Sequence, residues 1–125
     1  MNIHDPHISL ETAKLLKEAG FNEATQFGYR LSDGQIVFEG MSLLCHNNLE
    51  EYASAPTLHI TQRWLREVKR CEVYVIVCGR LFDDYYTVMY IESQNKVDVT
   101  DHYQSYDKAF EAGIAKCLKL LLGKE

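Results

Sequence analysis

The sequence predicts an α+β fold: an antiparallel sheet of four to five strands packed with three helices, in the order α-β-β-α-β-β-α. Three observations carry this. Between Tyr106 and Leu122, the residues Tyr106, Ala109, Phe110, Gly113, Ile114, Cys117, Leu118 and Leu121 fall at i, i+3, i+4, i+7 spacing, the apolar stripe of a helix. Residues 72–78 and 84–92 are rich in Val, Ile and Tyr and join at Gly79-Arg80, as two paired strands would. Ser32-Asp33-Gly34 separates two further runs of strand composition, and Asp-Gly in that setting signals a hairpin.

Taken in order, the first helix covers residues 10–19. Ser9 is a good N-cap, Glu11 sits at the positive helix end, and Gly20 is a ready stop. Ala13, Leu15, Leu16 and Ala19 share one arc, with Lys14, Lys17 and Glu18 on the other. Strands at 25–31 and 35–39 follow. Residues 40–56 have no clear period; a turn of helix is expected at 48–53, and a loop of this length in a small domain is often functional.

Thr57 opens a second helix, 58–70. Leu58, Ile60, Thr61, Trp64, Leu65 and Val68 occupy one broad arc, and His59, Arg63, Arg66 and Arg70 cluster opposite. The next two strands are apolar on both sides. Val73, Val75 and Val77 oppose Tyr74, Ile76 and Cys78; Tyr85, Met89 and Ile91 oppose Tyr86, Val88 and Tyr90. Both faces want cover, which three helices cannot easily supply. Residues 97–100 read as a further short strand, and Ser105 caps the last helix.

At 125 residues the chain is the size of one domain, 1–125, with room for a core that needs no disulfides. Its 46% hydrophobic and 11% aromatic content excludes an intrinsically disordered chain. The longest apolar run, residues 73–78, is far below the roughly 20 residues of a membrane span. The N-terminus has no basic segment followed by an apolar one, so a cytoplasmic protein without a membrane partner is expected. Cys45, Cys71, Cys78 and Cys117 form no C-x-x-C pair, and Cys71, Cys78 and Cys117, which lie within apolar segments, are read as reduced core residues.

Charge is uneven. Residues 1–57 hold eight acids against three bases and residues 81–125 eight against five, while 58–80 hold two acids against five bases. An acidic chain of net charge −5 thus carries one basic island, a balance that argues against general nucleic-acid binding.

No phosphate loop, dinucleotide fingerprint or nucleophile elbow occurs, and no catalytic residue is assigned. His4-Asp5-Pro6-His7 is a conceivable metal clip, read instead as a frayed terminus. Cys45-His46 is a conceivable thiolate–imidazole pair, but neighbours in sequence rarely present both groups to one substrate. The acids at Asp83-Asp84 and Asp98 with Asp101 lack the turn glycine and third carboxylate of a cation loop. Neither a metal nor a cofactor is expected. The candidate binding residues are the basic stripe His59, Arg63, Arg66 and Arg70 and the sheet tyrosines Tyr74, Tyr86 and Tyr90. The stripe has two plain accounts, a solvated face complementing the helix dipole or pairing with the chain's own acids, beside docking of a carboxylate or phosphate partner.

Three sequence blocks add a resemblance. Residues 8–21 (Ile-Ser-Leu-Glu-Thr-Ala-Lys-Leu-Leu-Lys-Glu-Ala-Gly-Phe) are the first. Ala55-Pro56-Thr57 with Trp64-Leu65-Arg66-Glu67 is the second, and residues 105–113 (Ser-Tyr-Asp-Lys-Ala-Phe-Glu-Ala-Gly) the third. Together they resemble a family of small uncharacterised proteins of gut-bacterial genomes and their phages or mobile elements. The likeness implies a prokaryotic intracellular or phage-encoded accessory protein and transfers no catalytic residue. The expected function is a non-catalytic protein-binding or self-associating module, a homodimer or a permanent complex. The alternative is a nucleic-acid-binding module using the basic helix and the sheet tyrosines.

Overall fold

In the computed structural model, which describes residues 6–38, 45–79 and 84–124, three helices and six strands alternate. They are α1 (Leu10–Glu18), β1 (Phe27–Arg30), β2 (Ile36–Phe38), β3 (Tyr52–Ser54), α2 (Leu58–Val68), β4 (Cys71–Cys78), β5 (Asp84–Ile91), β6 (Lys96–Val99) and α3 (Tyr106–Leu122). The α+β class therefore holds. The chain divides into two compact units, residues 1–57 and 58–125.

In the first unit the Ser9 hydroxyl accepts the Thr12 N–H, and α1 buries Thr12, Ala13 and Leu16. The Asp33 carboxylate takes Arg30 on both oxygens, at 3.0 and 2.7 Å, and also accepts the Gln35 N–H. Those bonds close the β1–β2 turn, with Gly34 at φ +74°, and the Arg30 bond foremost holds Asp33 below the usual carboxylate range.

Residues 45–54 depart from expectation. Where a turn of helix was expected at 48–53, a 3-10 turn at His46–Asn48 leads into strand β3, which pairs with β1. Asn47 fastens the stretch, donating from Nδ2 to the Phe21 carbonyl and accepting the Ser54 N–H on Oδ1. Lys17 Nζ donates to the Leu49 carbonyl at 2.8 Å and to that of Tyr52. A strand of three residues is too short to show alternation, so its place depends on these distant partners.

The single sheet of four to five strands is also corrected. There are two three-stranded antiparallel sheets, ordered β2-β1-β3 and β4-β5-β6. In each, the central strand has both edges occupied from its own unit, so neither sheet needs a strand from the other half. The expected element order lacked β3, whose three residues are too few to show alternation.

In the second unit α3 keeps its expected bounds, whereas α2 ends at Val68 rather than 70, and Ile60 and Val68 of its expected apolar arc are exposed. In α3, Ser105 accepts the Lys108 N–H, and Gly123 ends the helix at φ +71°. Phe110, Ile114, Cys117 and Leu118 are buried, and α3 packs on β4 and β5. From the sheet, Cys71, Val73, Thr87, Met89 and Ile91 are buried beneath it. Helix α2 buries Leu58, Thr61, Trp64 and Leu65 and lies along β4, where Gln62 Nε2 donates to the Val73 carbonyl at 2.6 Å. No helix of the described residues is long and apolar enough to cross a membrane.

Candidate functional site

Strand parity assigns the second sheet its two faces. The register pairs Val73 with Met89 and Cys71 with Ile91 on the α3 side, so Tyr74–Val88, Ile76–Tyr86 and Cys78–Asp84 share the opposite face. β6 extends that face with Val99 beside Val88 and Val97 beside Tyr90. Tyr74 is 49% exposed, Val97 64% and Val99 48%, which marks the face as open; Ile76 and Tyr90 are also exposed. Three of the candidate binding residues, Tyr74, Tyr86 and Tyr90, thus meet on one apolar sheet surface. Tyr85, of the other parity, faces α3 and sets its ring edge-on to Tyr106.

The other four candidates lie on α2 or just after it, and carboxylates of the same unit engage the arginines. Arg63 reaches Glu67 at 4.0 Å, Arg66 reaches Glu72 at 3.1 Å and Arg70 reaches Glu92 at 3.1 Å. The His59 ring stands edge-on to Phe110 at 5.2 Å. The stripe meets the open face at one point, where Glu72 lies between Arg66 and Tyr74; its hydrogen bond foremost raises the Tyr74 phenol above its ordinary value. Among these residues the geometry matches the plain account of paired surface charges.

At the far end of the open face sits a group that the sequence does not announce. Cys78 Sγ donates to Asp84 Oδ2 at 3.1 Å and lies 3.6 Å from His102 Nδ1, which is itself 2.8 Å from Asp84 Oδ1. Cys78 and Asp84 are cross-strand partners. His102 arrives by a bulge. The Thr100 N–H bonds to the Thr87 carbonyl, and Tyr85 and Tyr103 exchange both backbone bonds, so Asp101 and His102 together oppose Tyr86 alone. In unbroken register His102 would fall opposite Tyr85 on the covered face. The extra residue turns it to the open side, where its ring stacks on Tyr86 at 5.2 Å and 18°.

The reading of Cys78 as a core residue is therefore corrected, while Cys71 and Cys117 keep theirs. Cys71 and Cys117 are buried, and the hydrogen bond between their sulfurs raises the Cys117 thiol well above its ordinary range. Cys78 and Cys45 are half-buried. Cys78 alternates onto the open face, and its bond to Asp84 pushes its thiol up while that bond and His102 hold Asp84 down. A parity argument from residues 72–78 puts Cys78 beside Tyr74, but nothing in the sequence reveals the bulge that delivers His102.

The remaining motifs resolve otherwise. His46 is fully buried in the first unit with Nδ1 3.2 Å from the Thr25 hydroxyl, a core histidine rather than half of a thiolate pair. Gly28 leaves room for its ring: a Cβ there would stand 2.4 Å from His46 Cδ2. His7 pairs with Thr57, and its ring lies edge-on to Phe27. His4 and Asp5 of the N-terminal motif, residues 40–44, Arg80, Phe82 and Asp83 lie outside the described residues. Asp98 is engaged by Lys116 at 3.4 Å and Lys96 at 3.9 Å, as a paired surface acid is. No family model, curated protein or solved structure matches the chain.

Proposed function

We propose that this protein is a non-catalytic, self-associating accessory module, and that the open face of the β4-β5-β6 sheet docks a second copy of the chain. One observation supports this most directly: Tyr74, Ile76, Tyr86, Val88, Tyr90, Val97 and Val99 form a continuous apolar surface opposite the face that α3 covers. Two strands of eight residues and one of four, about 4.8 Å apart and rising about 3.3 Å per residue, give a surface of roughly 300 Å². That matches the largest apolar patches of monomers, which run to about 300–600 Å² and are often functional. A twofold pairing of such faces is self-complementary, and two sheets stack readily about 10 Å apart. The area is below the roughly 800 Å² per partner of a standard interface, so a weak, concentration-dependent dimer is expected.

Nucleic acid fits this surface less well. Among the described residues the face carries no arginine or lysine, and Arg63, Arg66 and Arg70 already hold carboxylates. A cytoplasmic setting in a prokaryote, encoded by a phage or mobile element, belongs to the same proposal and rests on the three sequence blocks.

The test is sedimentation equilibrium of the parent and of a Val97→Lys/Val99→Glu variant across the micromolar range. A dimerising parent, and a variant that stays monomeric with an unchanged melting temperature, is the expected pair. A parent that remains monomeric at high micromolar concentration would overturn the proposal.

A further inference from the structure

The geometry points to a divalent metal site of the zinc class at Cys78, Asp84 and His102. The three donor atoms lie within 4.8 Å of one another. Ligands at zinc distances, about 2.3 Å for sulfur and about 2.0–2.1 Å for nitrogen or oxygen, stand about 3.3–3.6 Å apart at tetrahedral angles. The Sγ–Nδ1 separation of 3.6 Å already matches. The Asp84 carboxylate bonds through different oxygens, Oδ2 to Sγ at 3.1 Å and Oδ1 to Nδ1 at 2.8 Å, so a turn of the carboxyl group brings one oxygen to face both other donors around an ion.

Donor chemistry selects the ion. Thiolate with imidazole and one carboxylate suits zinc and similar borderline ions, whereas calcium or magnesium would seek a shell of oxygens. Three protein donors leave a fourth position for water on the exposed side, where the His102 side chain is 57% accessible and that of Asp84 41%.

A catalytic relay is the competing account, and the ring atoms argue against it. A thiol–imidazole–carboxylate relay uses both ring nitrogens, one toward the nucleophile and one toward the acid. Here sulfur and carboxylate both face Nδ1, and the thiol donates to the carboxylate. Convergence on one point is what a metal requires.

The donors are also held in place. Cys78 and Asp84 are fixed by the β4–β5 register. His102 is fixed by the Tyr85–Tyr103 pairing next to it and by the stack on Tyr86. Such support spares the metal the cost of ordering its ligands. The site lies within one chain, so it does not depend on the dimer.

The experiment titrates the full chain, reduced and metal-free, with Co²⁺ and then with competing Zn²⁺. One equivalent of Co²⁺ should saturate tetrahedral visible bands together with a thiolate-to-cobalt charge-transfer band, and Zn²⁺ should displace it. Cys78→Ser should abolish the charge-transfer band. His102→Ala, at an exposed side chain, should weaken Zn²⁺ binding at least about tenfold while the far-ultraviolet dichroism stays unchanged. Cys45→Ser and a His4→Ala/His7→Ala variant should bind like the parent, as should the monomeric Val97→Lys/Val99→Glu chain. No saturable Co²⁺ binding up to millimolar concentration would overturn the site. So would a charge-transfer band that survives Cys78→Ser, or Zn²⁺ affinity unchanged in His102→Ala.

Discussion

Arg70 is the residue at which backbone and side chain pull in different directions. It follows α2 with φ +58°, a left-handed conformation that glycine adopts freely and other L-residues reach at a cost of about 1–2 kcal/mol. Its guanidinium reaches Glu92 at 3.1 Å, but both side chains are more than half exposed, and such pairs contribute only about 0–1 kcal/mol. Backbone relief thus outweighs the ion pair. Arg70→Gly should be more stable than Arg70→Ala by about 1 kcal/mol in urea unfolding, the reverse of the usual rank of alanine over glycine near helices. Alanine as the more stable of the two would show that the left-handed backbone at this position carries no such cost. The stripe containing Arg70 was legible in sequence as a set of charges. Its partners outside the helix were not, because Glu72 and Glu92 reach it only through the fold.

At the scale of elements, the contact between α3 and the sheet is set by Gly113. A Cβ there would lie 2.2 Å from Thr87 Cγ2 and 2.6 Å from Thr87 Cβ, so helix and strand approach as closely as glycine allows. Thr87 also donates its hydroxyl to the Ala109 carbonyl one turn earlier, which fixes the strand beneath the helix. Alanine gains about 1 kcal/mol over glycine in helix propensity, whereas overpacking a core costs about 1–3 kcal/mol. The clash should win. Gly113→Ala is expected to lower stability by roughly 1 kcal/mol in chemical unfolding, and Thr87→Ser, which removes the methyl, should recover part of the loss. A Gly113→Ala chain as stable as the parent would mean that α3 can move off β5 at little cost. Periodicity marked Gly113 as facing the core, but not that a methyl group of β5 would fill the space above it.

For the molecule as a whole, the question is what a net charge of −5 leaves for its basic island to do. Within the second unit Arg63, Arg66 and Arg70 are each matched by a glutamate. Reversing all three to glutamate would remove those pairs, at about 0–1 kcal/mol each, and place like charges together. The triple variant should melt several degrees below the parent, and neither protein should capture mixed oligonucleotides in a salt-sensitive way. Capture by the parent that the variant loses, with no change in melting, would instead give the stripe a nucleic-acid role.

What the sequence determined by itself is local. The bounds of α3 and the common side of Tyr86 and Tyr90 on β5 follow from periods of 3.6 and 2 within one segment, and the N-caps at Ser9 and Ser105 from the residue type that precedes each helix. Tertiary structure decided the rest. Strand β3 exists because β1 has a free edge and because Asn47 and Lys17 hold residues 47–54 in place, and two sheets form because each central strand fills both edges within its own unit. The Cys78–Asp84–His102 cluster depends on one extra residue between Thr100 and Tyr103, which reverses the side of the sheet that His102 faces. A single-residue shift flips a side chain between faces without altering composition or period, and only the pairing of strands distant in sequence shows it.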